Sequence, residues 1–285
     1  MADLDLNRHT STKQLTIDHQ ISRQSVRRIA ASAGFRSNKE QLVPDIRPAD
    51  EEARLDWAVQ HARINPRDFV YTDKCGFTIG DHSQDTYVFW KPQEVLDANK
   101  THARKPHYRQ VMLWGAISYN FKSALFIIPK NTPTPIIDPP PRSRTPNPNG
   151  STLNQVKYAV CIIEQRLVPA LTRLRIEFGR QPVVIEDGCA SHDGEVAERY
   201  RQRWGMRQFQ HPAHSPDLNA IENIWSVLKR AVEARRPKAT RRDELICHIL
   251  EEWDSISMDV VKAACMSIKD REQEVWANAG YATGH

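Results

Sequence analysis

Three acidic side chains that are far apart in the sequence stand where they could form a shared site. The apolar run 69–72 ends at Asp73, a second apolar run ends at Asp187, and Glu222 lies in the helix-like segment 215–225. A carboxylate at the end of a buried strand is desolvated, which is unfavourable unless it has a partner. Three converging carboxylates would bind divalent metal ions, which promote phosphoryl transfer. The sequence therefore predicts a metal-dependent phosphoryl-transfer site.

The two aspartates also have a simpler explanation, as residues that form turns where strands end. Side chains alternate along a strand, so Glu186 and Asp187 face opposite ways and only one of them can reach a shared site. Asp187 is the better candidate because it stands at the exit of its strand, as Asp73 does.

Glu222 is predicted to lie mid-helix beside an apolar stripe, where a partly buried carboxylate needs a partner. The alternative is a surface salt bridge with Lys229 or Arg230. Asp217 is a rival carboxylate, but a negative charge in the first turn of a helix is explained by the helix dipole. We therefore assign Asp217 no catalytic role.

Composition narrows the class of protein. The chain has 285 residues, 40% of them hydrophobic, which is enough for a packed core, and its net charge of +5 slightly favours polyanionic partners. Its five cysteines show no C-x-x-C spacing, which argues against a zinc site or a disulfide framework. The longest apolar stretches, such as 124–128, are too short to span a bilayer. We expect an intracellular protein without a membrane partner.

The order of the predicted elements is that of a mixed α/β domain with one central sheet. Strands are predicted over 69–73, 86–90, 110–118, 124–128, 183–187 and 206–209, with a polar break at 119–122. Helices are predicted over 51–64, over 153–178 with an interruption at Pro169, over 194–203, and from Ser215 onward.

The N-terminal region predicts a pair of short helices, Thr12 to His19 and Ser22 to Ala33. In the second helix one face is apolar and the other face is basic and amide-bearing. The apolar face consists of Val26, Ile29, Ala30 and Ala33, and the other of Arg23, Gln24, Arg27 and Arg28. This pattern is typical of a helix-turn-helix, whose second helix enters the major groove of DNA. A surface helix pair with a solvated basic face is the alternative.

Four segments resemble, in one order, the mariner superfamily of cut-and-paste DNA transposases. They are Tyr71 to Asp73, Val111 to Ser118, Ile185 to His192, and Ser215 to Trp225. The family places two aspartates before a glutamate, with 34 residues between the second and the third; positions 188 to 221 make 34 here. The resemblance extends from about residue 12 to the C-terminus.

The resemblance implies a ribonuclease-H-like mixed sheet flanked by helices, in which Asp73, Asp187 and Glu222 bind two Mg²⁺ or Mn²⁺ ions. Such ions activate water for attack on a phosphodiester, and the freed 3′-hydroxyl then attacks target DNA. His192 matches a histidine of the family and is expected to form structural hydrogen bonds. The implied partners are double-stranded DNA, at transposon ends and at the target, and a second copy of the chain. The implied location is the nucleus.

The segment Ile21 to Ile29 matches the recognition helix of the second of two such modules in the family. Its predicted DNA contacts are Arg23, Gln24, Ser25, Arg27 and Arg28. The chain is thus expected to be N-terminally shortened. Residues 1–48 are predicted to be a partial helix-turn-helix segment and linker, and 49–285 the catalytic domain. A proline-rich, flexible insertion is expected at 129–150.

Two further basic residues bear on the site. Lys229 is predicted to contact DNA phosphate, although a solvated charged face would explain it equally well. Lys74 stands where relatives usually have glutamate, and strand alternation is expected to turn it away from the metals. Two other functions compete with transposition: a catalytically decayed or domesticated DNA-binding protein, and a different nuclease on the same scaffold, such as an integrase or a resolvase.

Overall fold

The computed structural model describes residues 12–33, 46–79, 110–129, 133–141, 153–189, 192 and 194–283. Its contacts divide the chain into two compact units, 1–43 and 44–285. The strand predicted at 86–90 lies outside the described residues. Within them, no helix is long and apolar enough to cross a membrane.

The first unit contains helices α1 (Thr12–His19) and α2 (Arg23–Ser32), which confirms the predicted helix pair. Ser22 caps α2, because its Oγ accepts a hydrogen bond from Ser25 N at 3.0 Å. The apolar face of α2 is narrower than predicted: Val26 is buried, whereas Ile29 is 41% exposed.

The second unit is built on a six-stranded mixed sheet with the order β3-β2-β1-β5-β6, in which β4 also pairs with β2. The strands are β1 (Phe69–Thr78), β2 (Gln110–Ser118), β3 (Phe121–Lys122), β4 (Phe126–Ile127), β5 (Val183–Glu186) and β6 (Arg207–Gln210). This architecture confirms the predicted α/β fold.

Strand β1 lies at the centre of the sheet, between β2 and β5. It runs antiparallel to β2, with Asp73 opposite Gly115, and parallel to β5, with Tyr71 opposite Ile185. One sequence prediction is wrong here: 119–122 is not simply a break, since Phe121 and Lys122 pair with the end of β2. The strand predicted over 124–128 is limited to β4.

Helices cover both faces of the sheet. They are α3 (Pro48–His61), α4 (Gln155–Lys157), α5 (Val168–Phe178), α6 (Glu195–Arg203), α7 (Ala220–Ala234), α8 (Arg242–Ser255), α9 (Met258–Met266) and α10 (Ile268–Ala277), with a π-helical segment at Tyr158–Leu167. Tyr71, Leu113 and Ile185 pack against α7, α8 and α9 on one face. On the other face, Val70 and Val184 pack against the run 155–178 and α6. The two faces of β1 are therefore both buried.

Pro169 does not interrupt the helical run, contrary to the prediction. The π-helical segment leads directly into α5, and Val168 N donates to Ile163 O, five residues earlier. Pro169 stands in the first turn of α5, directly after the π-helical segment, and the chain stays helical through it.

Two helix starts differ from the prediction. Helix α3 begins at Pro48 because Arg47 and Asp50 form a reciprocal cap ahead of it. Helix α7 begins at Ala220 rather than near Ser215, since Pro216–Leu218 forms a separate 3-10 turn. Glu222 consequently lies in the first turn of α7, not in its middle.

The described part of the proline-rich insertion, 133–141, is attached to the domain. Asn154 Nδ2 donates to Thr134 Oγ1 at 2.8 Å, and Arg199 Nη2 donates to Pro139 O at 2.8 Å. Ile137 packs on the core, whereas Ile136 is fully exposed. The flexibility expected of 129–150 stays a prediction.

We predict that Gly115→Ala lowers the free energy of unfolding by about 1–3 kcal/mol, as overpacking of a core does. A Cβ at Gly115 would lie 2.8 Å from Trp225 Cη2 and 3.1 Å from Leu125 Cδ2. Urea denaturation measures the change. Gly188→Ala is the control, because a Cβ there meets nothing within 4 Å. Equal stability of the two variants would contradict the prediction.

Candidate active site

Asp73 and Glu222 meet on the α7 face of the sheet. Asp73 projects from β1 on the same side as Tyr71 and Cys75, and its carboxyl group is close enough to that of Glu222 for the two to interact strongly. Trp225 Nε1 donates to Asp73 Oδ2 at 3.2 Å. A strand side chain is thus held by two side chains one turn apart on a single helix.

Asn219 fixes the start of that helix against β1. Its Oδ1 accepts from Ile221 N at 3.4 Å as the cap of α7, and its Nδ2 donates to Thr72 O at 3.3 Å. Thr72 immediately precedes Asp73, and Thr72 Oγ1 donates to Ile185 O at 3.1 Å. One amide side chain therefore sets the position of Glu222 relative to Asp73.

The pair lies in an environment that disfavours two negative charges. Burial raises the pKa of Asp73 to about 7, and the charges of Glu222 and Asp187 add to the rise. A hydrogen bond from the backbone N–H of Lys74 offsets this pKa rise only in part. Two negative charges at this position therefore repel each other, and a bound cation would relieve that repulsion.

Asp187 follows β5, and its negative charge is offset by a neighbouring histidine. Its Oδ1 lies 2.5 Å from His192 Nδ1, which also contacts Asp187 O at 3.1 Å. Burial alone would raise the pKa of Asp187, but the contact with His192 and the charge of Lys74 lower it below the usual value. Burial likewise would lower the pKa of His192, and Asp187 raises it overall.

Lys74 is turned away from Asp73 and Glu222, as strand alternation predicted, but not from Asp187. Its Nζ donates to Cys189 Sγ at 3.2 Å, and its charge acts on both Asp187 and His192. The expectation that Lys74 leaves the site altogether is therefore wrong. Successive side chains of a strand point to opposite faces of the sheet. On the face to which Lys74 points, the residues just after Asp187 lie close to β1.

The prediction that Asp73 stands at the end of its strand is wrong, because β1 continues to pair with β2 as far as Thr78. The three predicted carboxylates are nevertheless brought near one another, although unequally. Asp73 and Glu222 touch, whereas Asp187 is near enough to raise the pKa of Asp73 while its carboxylate contacts His192. In the described part of the chain, no three His, Cys, Asp or Glu side chains form a group ready to hold a metal ion.

The donor set nevertheless fits a hard divalent cation. Carboxylate oxygens are the ligands that Mg²⁺ and Mn²⁺ prefer. Asp187 Oδ1 lies against His192, but 42% of the Asp187 side chain is exposed, so the carboxylate can still reach a cation. A divalent ion held by these carboxylates would offset the repulsion that raises the pKa of Asp73.

Neighbouring carboxylates are engaged elsewhere. Glu186 is buried on the opposite face, where Tyr158 Oη and Arg201 donate to it, as the alternation of strand side chains predicted. Asp217 forms a buried ion pair with Arg54 at 2.6 Å, so the explanation by the helix dipole is wrong. The physical reason is that Asp217 lies in the 3-10 turn ahead of α7 and faces the interior.

The predicted DNA contacts lie in separate parts of the molecule. Arg23, Gln24, Arg27 and Arg28 are exposed on α2, whereas Ser25 is half-buried and bonded to Ser22.

Lys229 is exposed on α7, close to the Cys75 thiol. Burial raises the pKa of that thiol to about 11, and Lys229 opposes the rise. The proposed surface salt bridge between Glu222 and Arg230 does not form, since Arg230 Nε donates to Ser226 O at 3.3 Å.

Sequence reasoning missed the contribution of Trp225. Trp225 is 1% exposed, as a core residue is, but it also donates to Asp73. The available signal was its spacing: Trp225 is three residues after Glu222 and so shares its helix face. Gly115, opposite Asp73, leaves room for the indole ring.

We predict a pH dependence of stability that originates at this pair. The folded-state pKa of Asp73, about 7, exceeds its ordinary value of 3.8, so without divalent metal its contribution to stability decreases as pH rises from about 4 to about 7. Glu222→Gln removes a negative charge and lowers this pKa. Each unit of lowering restores about 1.4 kcal/mol at pH 7.

Denaturant unfolding measured across this pH range tests the prediction. The variant should lose less stability than the wild type between pH 4 and pH 7. Asp259→Asn is the control, because that side chain is 92% exposed on α9. Parallel curves for wild type and Glu222→Gln would rule out the coupling.

Known proteins resemble the chain in both sequence and fold. A family described as DDE superfamily endonuclease matches residues 147–246. The Tcb1 transposase of Caenorhabditis briggsae is 25% identical over 270 residues, which is 92% of this chain and 88% of that protein. The Tc3 transposase of Caenorhabditis elegans is 32% identical over 95 residues, which is 33% of this chain and 29% of that protein.

Solved structures agree with the fold. The Mos1 mariner paired-end complex with Mn has a TM-score of 0.73 at 16% identity, covering 99% of this chain and 78% of that one. The catalytic domain of Mos1 mariner transposase has a TM-score of 0.59 at 14% identity, covering 85% and 100%. The chain therefore resembles the Tc1-type transposases in sequence and the Mos1 mariner transposase in fold, and its residues 147–246 match the DDE superfamily endonuclease family, as its motifs predicted.

Proposed function

We propose that this protein is a DNA transposase that cuts phosphodiester bonds at transposon ends and joins the freed ends to target DNA. Asp73, Asp187 and Glu222 are its catalytic, metal-binding residues. The observation that carries the proposal is the contact between Asp73 and Glu222, 149 residues apart (222 − 73), at the sheet edge where Asp187 emerges. The sequence likeness to Tc1-type transposases supports it.

The cofactor in this proposal is a pair of Mg²⁺ or Mn²⁺ ions. Mos1 paired-end complexes have been solved with each of these metals, which supports the choice. When bound, such ions activate the attacking water and stabilise the leaving oxygen of an in-line displacement. These ions would be held by Asp73, Asp187 and Glu222, and their positive charge would offset the repulsion between Asp73 and Glu222.

The other residues of the site orient these carboxylates. Trp225 holds one oxygen of Asp73, and Asn219 holds the first turn of α7 in place. His192 holds Asp187 at the edge of the sheet. Lys74 lies beside Asp187, where its ammonium could meet a DNA phosphate once the carboxylates are occupied by metal.

Double-stranded DNA is the proposed partner and substrate. The exposed basic and amide side chains of α2, with Ser25, are proposed to contact transposon ends, and Lys229 to contact a phosphate near the catalytic edge. A homodimer acting in the nucleus completes the proposal, since each transposon has two ends to be cut.

We predict that Asp187→Ala abolishes magnesium-dependent nicking of DNA that carries the cognate terminal repeats, because one of three metal-binding carboxylates is lost. Binding to unrelated DNA, measured by gel shift, should be almost unchanged. Asp259→Ala is the matched control, since it removes an exposed aspartate from helix α9, outside the proposed site.

Equal nicking by Asp187→Ala and wild type would reject the catalytic assignment and leave a DNA-binding protein. The products separate the remaining functions. Strand-transfer products with duplicated target ends identify a transposase, whereas simple hydrolysis identifies a nuclease of another type.

A further inference from the structure

Asp217 is a buried carboxylate for which the proposed chemistry has no use. It lies in the 3-10 turn ahead of α7 and is 7% exposed. Arg54 of α3 donates to both of its oxygens, Nη1 to Oδ1 at 2.8 Å and Nη2 to Oδ2 at 2.6 Å. Arg271 of α10 donates to its backbone carbonyl at 2.5 Å. Two fully buried arginines from distant helices thus converge on one turn.

The C-terminal segment 278–283 closes over the same turn. Thr283 donates to Asp217 Oδ2 through both its backbone N and its Oγ1, each at 3.1 Å. Arg54 Nε donates to Gly280 O at 2.7 Å, and Arg54 Nη2 donates to Tyr281 O at 3.3 Å. The arginine therefore joins Asp217 to the end of the chain.

This cluster is connected to Glu222 by a few residues of backbone and by side-chain packing. Leu218 is fully buried against Trp57 and Ile268. Asn219 caps α7 and bonds to β1, and Glu222 N donates to Asn219 O at 3.1 Å. A shift of the 3-10 turn would therefore move the first turn of α7, which bears Glu222.

Stability alone is a weak explanation for such a cluster. Buried ion pairs are often replaced by packed apolar residues without loss of stability, and their best-attested benefit is to fix one arrangement. We propose that Asp217 is a positioning residue: with Arg54, Arg271 and the segment 278–283 it holds the first turn of α7 so that Glu222 meets Asp73 in metal-binding geometry. This inference rests on the proposed metal-dependent function.

Gly280 offers a way to disturb the cluster without touching the site. Its φ is +91°, and a Cβ there would lie 2.3 Å from the backbone oxygen of Glu51 in α3. Gly280→Ala must therefore displace the C-terminal segment. Gly179→Ala is a matched control: its φ is +58°, so it carries the same kind of backbone strain, but its Cβ would meet nothing within 4 Å.

The test uses the full chain and Mn²⁺ as the probe, with binding followed by electron paramagnetic resonance in the absence of DNA. Gly280→Ala should weaken Mn²⁺ binding about tenfold while Gly179→Ala leaves it unchanged. In a Glu222→Gln background, Gly280→Ala should have no further effect, because the cluster acts through Glu222. Circular dichroism verifies that each variant is folded.

Three outcomes overturn the inference or its premise. Unchanged Mn²⁺ affinity in folded Gly280→Ala, or an equal loss in both backgrounds, rejects the positioning role of Asp217. Unchanged affinity in Glu222→Gln rejects the metal site itself. If Gly280→Ala does not fold, Thr283→Val makes the same comparison, since it removes only the Oγ1 donor to Asp217.

Discussion

The site is governed by the contact between two carboxyl groups whose negative charges repel each other. Asp73 is held against Glu222 in a largely buried position, and both burial and the charge of Glu222 raise the pKa of Asp73. Three neighbouring residues help to maintain this contact. Trp225 and Glu222 share one helix face, Asn219 ties that helix to β1, and Gly115 leaves space for the indole ring.

The surrounding carboxylates show the opposite arrangement. Glu186 is paired with Arg201, and Asp217 with Arg54, in each case below the surface. These two buried carboxylates thus receive a permanent protein cation. Asp73 and Glu222 receive none from an arginine in the described structure, and this contrast distinguishes the pair that is proposed to bind metal from its neighbours.

Local patterns predicted much of this structure. Strand β2 occupies the predicted residues 110–118, and Asp187 directly follows β5, because a buried strand has a clear apolar signature. Patterns could not predict what depends on distant partners. The partner of Asp217 lies 163 residues away, and Lys74 acts on Asp187 because Cys189, just after β5, lies beside it. The start of α7 was also missed, since Ser-Pro suits a 3-10 turn as well as an α-helix.

The central position of β1 has a consequence for shortened gene copies. This strand comes early in its domain, yet it lies between β2 and β5 and bears Asp73. A copy that retains residues 147–246, the stretch matched by the endonuclease family, would encode Asp187 and Glu222 without the strand that joins the two halves of the sheet. Such a remnant would expose unpaired strand edges and aggregate rather than cut DNA. Loss of the part of the gene that encodes β1 would therefore be enough to remove nuclease activity.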